Sequence, residues 1–164
     1  MRGLVFLLLA ACGGTVDNGP PSGDDDTPPG DGPVASADSH TFCVQETNRY
    51  RTGGGVAAVT QSSQLENYAD MGAQIDFGSS PHNHFSSTGG GGIAFAENEC
   101  PHWDLSFGGG DEKMLIAACI AAFFSEGKGG GHYDNMMNGQ YKTLGCGIFK
   151  SGSDYTILQD FGGL

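Results

Sequence analysis

The feature that most constrains this chain is a break in composition near residue 40. Residues 13–39 carry Pro20-Pro21, Pro28-Pro29, Pro33, six glycines and the acids Asp17, Asp24, Asp25, Asp26, Asp31 and Asp38, and large apolar residues are missing. Nothing in such a segment offsets the entropy of ordering a backbone. Its prolines and like charges extend it. It reads as a disordered tether over 13–39, which leaves about 125 residues, 40–164, to fold. That length holds one domain and is too short for two. A domain of this size buries roughly two thirds of its unfolded surface, so a single core is feasible. With 29 glycines in the chain and only 16% charged residues, the expected domain is loop-rich and globular, not a coiled coil or helical bundle.

The formal charge of -12 is shared unequally between the two parts. Of 19 acidic residues six lie in the tether, leaving 13 in the domain; of seven basic residues Arg2 lies in the leader, leaving six. An acidic surface repels phosphate backbones, which argues against nucleic acid as a partner. Met1 to Cys12 reads as an export signal: Arg2, the apolar run Leu4-Val5-Phe6-Leu7-Leu8-Leu9, then Ala10-Ala11-Cys12. The run is well short of the ~20 apolar residues of a spanning helix. Leu9-Ala10-Ala11-Cys12 resembles a bacterial lipobox, in which the cysteine is acylated and becomes the mature N-terminus. Acyl chains on Cys12 would anchor the protein to a membrane, at about 0.8 kcal/mol per buried CH₂.

Beyond Cys12 the chain has Cys43, Cys100, Cys119 and Cys146, an even number in an exported domain, which reads as two disulfides. Three pairings are open. No C-x₂-C pair is present, so a structural zinc knuckle is not expected. Periodicity predicts a helix over Thr41–Arg51 and a second from about Ser62 to Ile75. A third is capped by Asp111, striped by Leu115, Ile116, Cys119, Ile120, Phe123 and Phe124, and stopped by Gly127. Residues 78–92, rich in Gly, Ser, Pro and His, read as loop. Thr143–Phe149 and Tyr155–Asp160 read as strands of a hairpin turned by Ser151-Gly152-Ser153-Asp154. Helices followed by a terminal hairpin predict an α+β fold with a small antiparallel sheet under helices.

Four segments, in order, resemble the CAP (SCP/PR-1-like) family: Asn48-Arg49-Tyr50-Arg51, Ala96-Glu97-Asn98, Gly131-His132-Tyr133 and Leu144-Gly145-Cys146-Gly147. The ending Tyr155-Thr156-Ile157-Leu158-Gln159-Asp160-Phe161-Gly162 is similar to that of many bacterial members, and with Cys12 the chain resembles a lipoprotein-type member. The resemblance covers essentially all of 40–164 and implies an α-β-α sandwich with its sheet between helices. After Gly131-His132-Tyr133 the chain continues Asp134-Asn135-Met136-Met137, unlike eukaryotic members, and their second signature is absent.

Carried over by motif, the family's pocket falls on His84, Glu97, Glu126 and His132. His82 lies two residues from His84, and the following Phe85-Ser86-Ser87-Thr88-Gly89 favours His84. Under this resemblance His84 and His132 would ligate a divalent metal such as zinc, with the carboxylates ligating or holding its water. Cys119 and Glu126 share a helix face about 10.5 Å apart, and Glu97 precedes Cys100 by about 10 Å if extended. Pairing Cys100 with Cys119 would therefore bring Glu97 beside Glu126 and leave Cys43 with Cys146. No catalytic residue is assigned. The expected function is a non-catalytic, monomeric module that binds a lipid, glycan or protein ligand. The alternative is a metal-assisted hydrolase using Glu97 or Glu126 as base, and no H-E-x-x-H or G-x-S-x-G motif supports it.

Overall fold

The computed structural model describes residues 37–163, so the expected leader, the acylated Cys12 and nearly all of the 13–39 tether lie outside the described residues. Helix α1 runs Ala37–Gly53, α2 Ser63–Phe77, α3 Asn83–Thr88, α4 Glu112–Ser125 and α5 Gly131–Met136; strands are β1 Thr60–Gln61, β2 Ala94–Asp104, β3 Thr143–Ser151 and β4 Asp154–Gly162. Two helices start where the sequence supplies caps. The Ser62 hydroxyl accepts from Leu65 N, and the Asp111 carboxylate accepts from Met114 N. The sheet order is β1-β3-β4-β2, antiparallel except for the two-residue β1, which pairs parallel with β3. Helices cover both faces. This is the α+β, α-β-α sandwich expected, with strands at both hairpin positions.

Strand alternation sends successive side chains to opposite faces. On the first face Cys100, Cys146, Ile148, Ile157 and Phe161 join Cys43 of α1 and Leu115, Ile116, Cys119 and Ile120 of α4 in the main core. Both disulfides lie here: Cys43–Cys146 ties α1 to β3, and Cys100–Cys119 ties β2 to α4, with Cα separations of 6.4 and 6.1 Å. The second face presents Gly145, Gly147, Leu158 and Asp160. A Cβ on Gly147 would stand 2.1 Å from the Ala69 carbonyl oxygen, and one on Gly145 2.2 Å from the Leu65 carbonyl carbon. Helix α2 therefore lies on β3 backbone to backbone, an approach only glycine permits.

Two polar anchors hold α5. Arg51 is fully buried and donates to the carbonyls of Ala57, Met136, Asn138 and Tyr141 at 2.9, 2.6, 3.1 and 3.4 Å. Asn98 donates to the His132 carbonyl at 3.0 Å and to Gln159 Oε1 at 3.1 Å; Gln159 in turn donates to Thr47 Oγ1 at 2.6 Å. Asn135 closes the set by donating to the Glu97 carbonyl and to Asn98 Oδ1. The adjacent residues Glu97 and Asn98 thus divide the labour. Asn98 fixes the helix that carries His132, and Glu97 faces the other way.

Candidate metal centre

Strand β2 is an edge strand, and two histidines meet beyond that edge, one from each helical layer. His82 stands at the N-terminus of α3 and His132 in the first turn of α5. Their ring centroids are 6.4 Å apart. His82 Nδ1 lies 2.7 Å from Glu97 Oε1, and its peptide N–H donates to Glu99 Oε2 at 2.6 Å. His132 Nδ1 lies 2.5 Å from Glu126 Oε1, its peptide N–H donates to Glu126 Oε2 at 3.0 Å, and its ring leans on Phe123. Each imidazole therefore rests one nitrogen on a carboxylate. That contact orients the ring and leaves Nε2 as the metal-ligating atom, the usual carboxylate–histidine support of a metal site.

The backbone at His82 is held in the left-handed region, with φ of 60°. A non-glycine residue there is uncommon and marks a position fixed by its surroundings. The Glu97 carboxylate raises the pKa of His82 through their hydrogen bond, more than burial lowers it. At the other ring, the hydrogen bond from His132 holds Glu126 below the usual carboxylate range. Bonds of ~2.0–2.1 Å from two imidazoles to one zinc ion at a tetrahedral angle would put the ring centres roughly 5–5.5 Å apart, so the two rings, at 6.4 Å, would close by about 1 Å on a shared ion. One ligand atom each from His82, Glu97 and Glu99 also falls within 4.8 Å of the others. Glu97 Oε2 and Glu99 Oε1 are buried without a hydrogen-bond partner. A His/Glu cluster able to coordinate a divalent metal is present.

The model of the cysteine-rich secretory protein family, CAP, matches residues 44–161. The chain belongs to the CAP family. No curated protein matches it in sequence. Among solved structures it is similar to NaASP2, determined with Zn²⁺, at 18% identity and TM-score 0.56 over 82% of this chain and 83% of that one. It is similar to an outer surface protein of Borrelia burgdorferi at 14% identity and TM-score 0.54, over 80% and 97%. A cysteine-rich secretory protein of Staphylococcus aureus aligns at 14% identity and TM-score 0.51 over 77% of this chain, which spans only 39% of that protein's length. At such identities the likeness is one of fold alone.

Within this CAP domain the structure brings together three of the four residues carried over by motif, Glu97, Glu126 and His132. The second imidazole of the cleft is His82, not His84, and this corrects the preference for His84. His84 is buried against α2, where its ring packs on Tyr68 with centroids 4.4 Å apart, and its peptide N–H donates to Asp76 Oδ1 at 2.8 Å. A second correction concerns the two carboxylates. Cys100 does pair with Cys119, but Glu97 and Cys100 are three apart on a strand and so point to opposite faces. Glu97 accordingly reaches His82, while Glu126 reaches His132 from the other layer. Two further acids, Glu99 and Asp160, were not foreseen. Glu97 and Glu99 at i and i+2 share a face of any strand, and that spacing was the available signal.

Proposed function

We propose that this CAP domain is an exported, non-catalytic binding module whose ligand pocket is the cleft at the open edge of β2, with zinc held there by His82 and His132. The observation that carries the reading is the 6.4 Å approach of two imidazoles, each braced at Nδ1 by its own carboxylate. When bound, the ion supplies a positive, polarising contact for an oxygen of a lipid, glycan or protein ligand. Glu97 and Glu126 hold the two rings and their Nδ1 protons. A carboxylate so engaged, and in Glu97 almost wholly buried, is poorly placed as a free general base, which favours binding over hydrolysis. Four cysteines closed into two disulfides favour an oxidising compartment. With the lipobox at Cys12 they support a lipid anchor at the cell envelope.

Calorimetric zinc titration of the full chain tests this. His82→Ala or His132→Ala should weaken binding at least about 100-fold, and Glu97→Gln or Glu126→Gln about 10-fold. His84→Gln should leave affinity unchanged. Zinc binding that survives both histidine substitutions would overturn the assignment. An unbiased panel of esterase, peptidase and glycosidase substrates separates the hydrolase reading, which requires activity lost in both His132→Ala and Glu97→Ala.

A further inference from the structure

Helix α5 has only six residues, too few to hold its shape unaided, yet it carries one of the two facing imidazoles. At its N-terminal end Glu126 takes the His132 peptide N–H, and along its side Asn98 and Asn135 tie it to β2. Its C-terminal end is held from a different element. Arg51 reaches over from α1 and donates to the carbonyls of Met136, the last residue of α5, and of Asn138 just beyond it, while its other bonds go to Ala57 and Tyr141. The side chain is wholly buried, and among the described residues no carboxylate pairs with it. A cation suits a helix C-terminus, where the last carbonyls lack partners within the helix. The chain just after α1 also packs on the exit of α5: a Cβ at Gly54 would stand 2.4 Å from Met137 Cε.

We infer that Arg51 is a positioning residue of the histidine cleft: by fixing the C-terminal end of α5 it sets where His132 stands. This rests on the zinc reading above. His132 and Met136 are four residues apart on the helix, about 6 Å along its axis. Tilting α5 about its far end by about 5° would move His132 by about 0.5 Å, more than the ~0.2 Å over which zinc–ligand distances vary. None of Arg51's bonds reaches a side chain of the cleft, so its contribution is geometric. A guanidinium is needed for it. Its nitrogens spread in a plane and serve carbonyls from separate segments, which the single nitrogen of a lysine cannot span.

Zinc titration and amide hydrogen exchange of the full chain test it, with Arg51→Lys and Ile148→Val beside the wild type. Arg51→Lys should weaken zinc binding about 10-fold, the low end for an outer support of a metal site. Without metal, the Asp134 and Met137 amides, which donate to the Gly130 and Tyr133 carbonyls, should exchange at least about 10-fold faster, because each charge-assisted bond lost loosens that helix locally. Amides of α4 and the sheet should keep their wild-type rates. Ile148→Val, a truncation in the main core, should lower the Tm by roughly 2–6 °C and leave zinc affinity as it is, which separates positioning from stability. If Arg51→Lys does not fold, Arg51→Gln takes its place with the same outcomes expected. The inference is overturned if the folded variant binds zinc as tightly as the wild type, if exchange quickens alike throughout the domain, or if Ile148→Val weakens zinc equally. It is overturned too if neither Arg51 variant folds, because the residue would then carry the fold as a whole. A wild type that binds no zinc would sink the reading above instead, and the exchange of α5, measured without metal, would still decide whether Arg51 holds that helix.

Discussion

The two faces of the central sheet are closed by opposite means. On the first, aliphatic side chains from β2, β3 and β4 interlock with α1 and α4, and both disulfides cross the same layer. On the second, the apolar cluster is small (Ala69, Ala73 and Leu158, with Phe149 against it), and the helix sits on glycines while buried acids fill the remainder. One face carries most of the apolar burial, and the other carries the buried carboxylates. The histidine cleft opens where the two layers meet, past the free edge of β2.

The comparison breaks most visibly if the first face is unfastened. Cys43–Cys146 closes a loop across a sequence separation of 103 residues, and Cys100–Cys119 one of 19. In the chain-entropy view the longer constraint contributes about 4–5 kcal/mol and the shorter about 3. Urea unfolding of Cys43→Ala/Cys146→Ala and of Cys100→Ala/Cys119→Ala should show the first pair as the costlier. Equal losses would mean that the void left in the core, not loop closure, sets the effect.

The second face is tested next, by Gly147→Ala. The added carbon meets the Ala69 carbonyl, a backbone group that no rotamer change can move aside. A loss of about 3 kcal/mol is expected, at the upper end for overpacking. The same methyl at Gly53, where nothing lies within 4 Å, should cost nothing of the kind. A mild Gly147→Ala would show that α2 rides loosely on the sheet.

That division also explains what could be read from sequence. Helix α4 was legible because its cap and apolar stripe agree. The β3–β4 hairpin was legible because alternating residues face the core on one side. Strand β2, the longest, was not. Its run from Ala96 to Cys100 is buried throughout although three of the five residues are Glu97, Asn98 and Glu99, and its register shifts near Ala94 and again after Cys100. No polarity pattern reports a strand buried on one face by a core and on the other by a site. Helices α3 and α5 have six residues each, and α3 lies in a stretch whose composition reads as loop. The choice between His82 and His84 turned on a left-handed backbone at His82, which sequence does not display. The family motif led to Glu97, Glu126 and His132, Glu99 follows from its i, i+2 spacing to Glu97, and Asp160 became visible only once β2 and β4 were paired.

A smaller effect sharpens the contrast through pH. On the second face Asp76, Glu99, Asp160 and His82 all have folded pKa values raised above their ordinary ones, the acids by burial first and His82 by the Glu97 contact first. A raised folded pKa favours folding below the ordinary value, and that gain is lost as pH rises through the folded value. In chelator, the Tm should therefore fall as pH increases from about 5 to 9. Asp160→Asn should flatten the upper part of that limb. A Tm independent of pH over this range would mean that the acids are compensated in a way the structure does not display.

The opposite sign is expected on the first face, where the effect is smallest. Glu112, in the first turn of α4, is penalised by burial, but hydrogen bonds from Lys150, Ser39 and Tyr155 outweigh this and hold its carboxyl below the ordinary 4.5. A depressed folded pKa gives stability that is present above 4.5 and lost as pH falls through the folded value. Lys150 Nζ lies 2.8 Å from Glu112 Oε2, both side chains being partly exposed. Lys150→Met should cost about 1 kcal/mol at pH 7. If the contribution is the ion pair, the difference from wild type should shrink on acidification below pH 4.5, where Glu112 begins to protonate. A difference unchanged at pH 3 (about one unit or more below the ordinary value) would assign it instead to the lysine over the Tyr155 ring, 5.8 Å from its centre, and not to the pair with Glu112.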